Sequence, residues 1–161
     1  MKEFTFKGQH PDEEIEEIKK NHPFVMFWPG LKVVVLLAIP VLILIFWGAS
    51  SLFSLATFIC VLVAVAIFSV SYYEYSSSVF ILTNQRVMNL EQKGFFKRKI
   101  TETGLEKIQD VASDMNGMIK TSLNFGDLIV RTAGVTKGEE IVAKNISNPY
   151  DLQQKIIKLI G

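Results

Sequence analysis

No Asp, Glu, Lys or Arg occurs between Lys32 and Glu74, and this uncharged block constrains the chain more than any other feature. As one α-helix, Val33 to Tyr73 would run roughly 60 Å, about twice the ~30 Å hydrocarbon thickness of a bilayer. It must therefore turn back. The polar, small-residue interruption Gly48-Ala49-Ser50-Ser51 is the place to do so, and it divides the block into two expected spans, residues 31–47 and 52–73, each near the ~20 residues that a membrane-crossing helix needs. Pro40 falls inside the first span; the carbonyl it frees is tolerable where a neighbouring helix or a local adjustment re-satisfies the backbone. Trp28 and the group Tyr72, Tyr73 and Tyr75 mark one border, and Trp47 marks the other.

Basic residues near the spans predict orientation, because Lys and Arg resist translocation. Lys19, Lys20 and Lys32 precede the first span, the connection carries none, and Arg86, Lys93, Lys97, Arg98 and Lys99 follow the second. Both termini are expected in the cytoplasm of a multi-pass membrane protein. With no ionisable residue inside the spans, the hairpin reads as an anchor rather than a conduction path. Ala56, Cys60 and Ala64 recur every four residues, a small-residue stripe on which the first span can pack closely; homo-oligomerisation is its less economical use. Cys60 is the only cysteine, which rules out an intrachain disulfide and a CxxC site. The balance of 17 basic and 16 acidic residues argues against nucleic acid as a partner.

Beyond Glu74 the pattern changes to short apolar runs separated by turn residues, which predicts a small β-rich domain. Six strands are expected: 78–83, 86–91, 95–102, 107–114, 127–132 and 139–145. The turns between them fall at Thr83-Asn84-Gln85, Gln92-Lys93-Gly94, Asn116-Gly117, Phe125-Gly126 and Thr136-Lys137-Gly138. Asn148 as N-cap, Pro149 in the first helical position and Asp151 in the first turn then open a C-terminal helix. Its stripe of Leu152, Ile156, Leu159 and Ile160 should lie against the sheet.

The order of a membrane hairpin, "LTNQRV", "KGFFKRK", "LEKIQDV", "LNFGDLIVRTAG" and a terminal "NPYDLQQKI", with "PDEEIEEIKKNHPF" ahead of the first span, resembles the membrane-anchored bacterial PH-like (pleckstrin-homology-like) domain family. The resemblance implies a strongly bent antiparallel sheet or partly open barrel of about seven strands, capped by the C-terminal helix. The missing seventh strand is then expected within Met118–Leu123. The expected fold class is an α+β membrane protein: a cytoplasmic segment over residues 1–30, a transmembrane hairpin over 31–73 and a PH-like cytoplasmic domain over 74–161.

Little in the chain points to chemistry. His10 and His22 are the only histidines and have no partner motif, and neither phosphate-cradling glycine pattern is present. No catalytic, cofactor or metal residue is assigned. Asp12 to Glu17 followed by Lys19 and Lys20 reads as a short solvated helix, with Glu16 and Lys20 at i, i+4. The sharpest cluster is Phe95, Lys97, Arg98 and Lys99, next to Gly94 and Phe96. Continuous strand geometry would place Phe95, Lys97 and Lys99 on one face. The plainer reading is a hairpin with a solvated charged face and a buried phenylalanine; the sharper one is contact with membrane lipid or a partner protein. The expected function is a non-enzymatic interaction module at the cytoplasmic face of a bacterial membrane, whose partners are lipids and another membrane or cytoplasmic protein. An accessory subunit of a transport or channel assembly is the alternative.

Overall fold

A computed structural model of the chain describes residue 10, residues 12–132 and residues 140–160. They form two compact units. The first is built from the described residues up to His22, Ser77–Glu91 and the described residues from Arg98 onward; the second holds Pro23–Ser76 and Gln92–Lys97.

In the first unit lie two antiparallel sheets. One is ordered β1 (Ile15–Lys20), β2 (Val79–Thr83), β3 (Arg86–Lys93), β4 (Lys97–Gly104), the last two strands running on into the second unit. The other is ordered β5 (Ile108–Asp114), β6 (Phe125–Thr132), β7 (Ile141–Ser147). Only an isolated bridge, Asn21 to Ile146, links the described residues after β1 to β7 outside the named strands, and the barrel is open rather than closed. Phe80 and Leu82 of β2, Leu128 and Val130 of β6, and Ile146 of β7 are buried in one core. Leu152 and Ile156 of the helix α4 (Pro149–Ile160; α1 to α3 follow below) complete it with no exposed surface, while Leu159 and Ile160 of the expected stripe remain partly exposed. Gln153 fixes the helix on β5, donating from Nε2 to the Val111 carbonyl at 2.6 Å and accepting from Ser113 Oγ at 2.7 Å.

The second unit contains α1 (Phe27–Trp47) and α2 (Ser51–Ser77). With the turn that precedes α1, the helical segments Pro23–Trp47 and Ser51–Ser77 are long and apolar enough to cross a membrane, each containing an 18-residue stretch with a mean hydropathy of 2.6. Gly48 closes α1 with φ 68° and donates to the Leu44 carbonyl at 3.0 Å, a left-handed position that suits glycine. Ser50 caps α2 by accepting from the Phe53 amide at 3.3 Å. Pro40, Cys60 and Ala64 are the buried residues of the two helices; Ala56 is half-buried. Both helices begin or end about one turn beyond the expected spans.

Four local expectations need correction. Residues 15–20 form a strand, not a helix: Ile18 pairs with Ile81 and Lys20 with Val79. One i, i+4 ion pair supports a helix by only ~0.2–0.5 kcal/mol, too little to nucleate six residues against a ladder with β2 that is continuous from Glu17 to Lys20. This strand, rather than Met118–Leu123, brings the number of strands among the described residues to seven. Residues Met118–Ser122 are instead a short helix, α3, entered through Gly117 at φ 104°. Phe125-Gly126 is not a turn but the start of β6. The chain reverses before it, at Asn124 with φ 50°, and a Cβ on Gly126 would lie 2.3 Å from the Asp114 carbonyl oxygen. Finally, β4 starts at Lys97, so Phe95 belongs to the turn and does not continue the alternation of Lys97 and Lys99. The expected turn at Thr136-Lys137-Gly138 lies outside the described residues.

Candidate functional site

Strand β3 separates two turns, one within each unit. Thr83-Asn84-Gln85-Arg86 is enclosed by the segment ahead of β1. Arg86 grips the fully buried Glu13 carboxylate with two hydrogen bonds, Nε to Oε1 at 2.8 Å and Nη2 to Oε2 at 2.9 Å. Thr83 Oγ donates to Glu13 Oε1 at 2.9 Å, and the His10 amide donates to Oε2 at 3.0 Å. With the Arg86 bonds as the largest cause, the Glu13 carboxyl is held at a pKa of about 2, against an ordinary 4.5. Asn84 completes the clamp, accepting from the Glu14 amide at 3.0 Å and donating to the Asp12 carbonyl at 3.1 Å. A second carboxylate, Glu17 on β1, meets Lys19 at 2.7 Å and Lys155 of α4 at 2.6 Å. Burial pushes its pKa up, but the hydrogen bonds from Lys155 and Lys19 outweigh that and the net shift is downward.

The turn at Gly94-Phe95-Phe96 is the reverse of this arrangement. Gly94 adopts φ 64°. Its amide donates to Glu74 Oε1 at the end of α2, its carbonyl accepts from Gln92 Nε2 at 2.7 Å, and the Phe95 ring lies 5.2 Å from that of Tyr73. These contacts hold the turn while leaving its rings outside: Phe95 is 51% exposed and Phe96 is fully exposed. A buried phenylalanine, the plainer expectation for this hairpin, is therefore absent. Lys97, Arg98 and Lys99 follow and are also exposed; none of the three forms an ion pair among the described residues. A fixed apolar tip followed by unpaired cations can enter an interface that is apolar inside and anionic at its rim.

A family model described as the bacterial PH domain matches residues 27–160. The chain belongs to the bacterial PH domain family. No match was found to a curated protein or to a solved structure. The bacterial PH domain match starts at Phe27, so β1 and Glu13 precede the matched residues, although β1 completes the sheet and Glu13 is held by Arg86 within them. PH domains are in general non-catalytic interaction modules.

His22 and His10 hold structural places. His22 stacks on Phe125 with ring centroids 4.6 Å apart, and its amide donates to the Asn145 carbonyl at 2.6 Å. No group of three or more metal-ligating side chains converges among the described residues. One exposed feature had no sequence forewarning: α3 presents Met118 at 90% and Ile119 at 55% exposure. The three residues between Gly117 and Thr121 mark it only in hindsight, since alternation and helical periodicity cannot be told apart over so short a run.

Proposed function

We propose that this PH-family chain is an integral protein of the bacterial cell membrane, whose α1–α2 hairpin crosses the bilayer twice and whose PH-like domain works as a non-enzymatic interaction module at the cytoplasmic surface. The observation that carries this reading is the fully exposed Phe96 on a pinned turn, followed by three unpaired cations. Burying one Phe side chain contributes about 1.5–3 kcal/mol, and each basic residue near an anionic leaflet about 1 kcal/mol. A reversible lipid contact therefore needs no large interface once the hairpin holds the domain at the bilayer. The exposed faces of the helices support the placement, with Ile45 and Phe46 both about 70% exposed, because apolar patches of that size do not persist in water. The β1–β2 ladder supports an even number of crossings, since its two strands are hydrogen-bonded to each other and must lie on the same side. Lysine placement supports the cytoplasm as that side.

Cysteine labelling tests the topology in a Cys60→Ala background. A cysteine replacing Ser50 should react with a membrane-impermeant maleimide in intact cells, and one replacing Lys107 only after permeabilisation; the opposite pattern overturns the orientation. For the tip, a fluorophore on Phe96→Cys in phosphatidylglycerol nanodiscs should be shielded from a water-soluble quencher relative to one on Lys107→Cys. Equal quenching removes the lipid contact and leaves a protein partner as the function of the tip. Within the hairpin, we assign the stripe of Ala56, Cys60 and Ala64 to close helix packing. Ala64→Leu should lower the melting temperature in detergent more than Val63→Leu, because the former adds volume to a buried site and the latter to an exposed one.

A further inference from the structure

The hairpin presents an uncovered groove of about 610 Å³, within the size range of small-molecule sites. Trp28, Lys32, Val35 and Ile39 line it from α1, and Val63 and Ile67 line it from α2. The α1 residues recur at intervals of three and four, so they share one helix face. Trp28 to Ile39 spans about 16 Å of helix rise, close to the ~15 Å hydrocarbon thickness of a single leaflet. Lys32 is the only charged side chain in the lining. No ion pair or hydrogen bond holds it among the described residues. Its position one turn inside Trp28 lets the four-carbon stem lie on apolar surface while the ammonium group reaches the headgroups.

We propose that this groove binds one anionic phospholipid, with an acyl chain along α1 and α2 and the phosphate paired with Lys32. The site rests on the reading that the hairpin spans the membrane, which the maleimide pattern tests separately. Charge decides the occupant. No Asp or Glu lies between Lys32 and Glu74, so the uncharged block of a second copy could cover the apolar wall but supplies no counter-ion for the ammonium group. A phospholipid supplies both the chain and the anion, and it is present throughout the leaflet.

The test uses the full-length protein in nanodiscs made from equal parts phosphatidylglycerol and phosphatidylcholine, extracted into detergent and analysed by native mass spectrometry. One phosphatidylglycerol should be retained per chain in preference to phosphatidylcholine. Lys32→Gln, a change at an exposed position, should reduce that retention about five-fold. Val63→Trp, which fills the groove, should reduce retention of both lipids, whereas Phe96→Ser should leave it unchanged because the tip is a different site. Equal retention of the two lipids by the parent overturns the proposal, as does parental retention by Lys32→Gln, even when the labelling pattern confirms the spans.

Discussion

The turns before and after β3 use the same kinds of residue for opposite purposes. At Thr83–Arg86 the guanidinium is turned onto a buried carboxylate, and every polar group named in the clamp meets a partner from residues 10–14. At Gly94–Lys97 a carboxylate, Glu74, accepts from a backbone amide, and Lys97, Arg98 and Lys99 form no ion pair among the described residues. A charge that is neutralised inside the fold contributes stability and has little left to offer a partner. The cations beyond Phe96 contribute little to the fold, so they remain available for binding. This contrast predicts that damage to the first turn unfolds the domain and that damage to the second alters only what it touches.

Glu13→Gln should produce the largest effect. It leaves Arg86 facing a neutral amide in a buried site, with the more exposed Glu102 at 3.1 Å as another carboxylate partner, and should cost about 3 kcal/mol in denaturant titration of the detergent-solubilised chain. The same group predicts a pH dependence. Its folded pKa of about 2 lies below the ordinary 4.5, so its contribution is fully present above about pH 4.5 and is lost as pH falls through about 2. The parent should lose stability across that acid window, and Glu13→Gln should lose less. If variant and parent melt alike at pH 7, the clamp is not a source of stability and the contrast between the turns fails.

Asn84→Ala should have an intermediate effect. It removes the acceptor for the Glu14 amide and the donor to the Asp12 carbonyl, two exposed bonds together worth about 1 kcal/mol. Hydrogen exchange at Glu14 should rise while exchange at Gly94 is unchanged. A matching rise at Gly94 would mean that the two turns open together and are not separate devices.

How far the sequence reveals these turns depends on whether their partners are close in the chain. The two long apolar helices follow from the uncharged block between Lys32 and Glu74, and the helix after Asn148 and six strands follow from local periodicity, because burial of one face repeats every 3.6 or 2 residues. The clamp does not. Glu13 is 73 residues from Arg86, and the whole hairpin lies between them, so Asp12 to Lys20 reads locally as a charged helix. Its strand identity is imposed by β2, a tertiary effect that outweighs a weak local preference. Gly126 misleads for a similar reason: a glycine beside an aromatic suggests a turn, yet this one admits the Asp114 carbonyl at close range. Asn148 does precede the helix, but its side chain accepts from Asn124 Nδ2 at 2.8 Å and only its carbonyl serves the helix, through Leu152. For the tip, composition identifies Phe95, Lys97, Arg98 and Lys99 as a unit, while the exposure of both rings depends on Gly94 turning the chain three residues before β4 begins.

The smallest stability effect should come from Phe96→Ser, and it sharpens the comparison most. A fully exposed ring makes few contacts to lose, so the variant should lie within about 0.5 kcal/mol of the parent, far from the loss at Glu13. Its effect should appear only against a bilayer. In phosphatidylglycerol nanodiscs the amides of Gly94 to Lys97 should exchange more slowly in the parent than in detergent, because the tip is withdrawn from water. Phe96→Ser should abolish that slowing, since the Ser hydroxyl gains nothing from apolar surroundings. Raising salt should weaken the slowing in the parent as Lys97, Arg98 and Lys99 are screened over a Debye length of ~10 Å at 0.1 M. If the tip exchanges at the same rate in phosphatidylglycerol, in phosphatidylcholine and in detergent, its rings do not meet lipid. The second turn would then be a protein-docking surface whose partner must supply both an apolar recess and acidic groups.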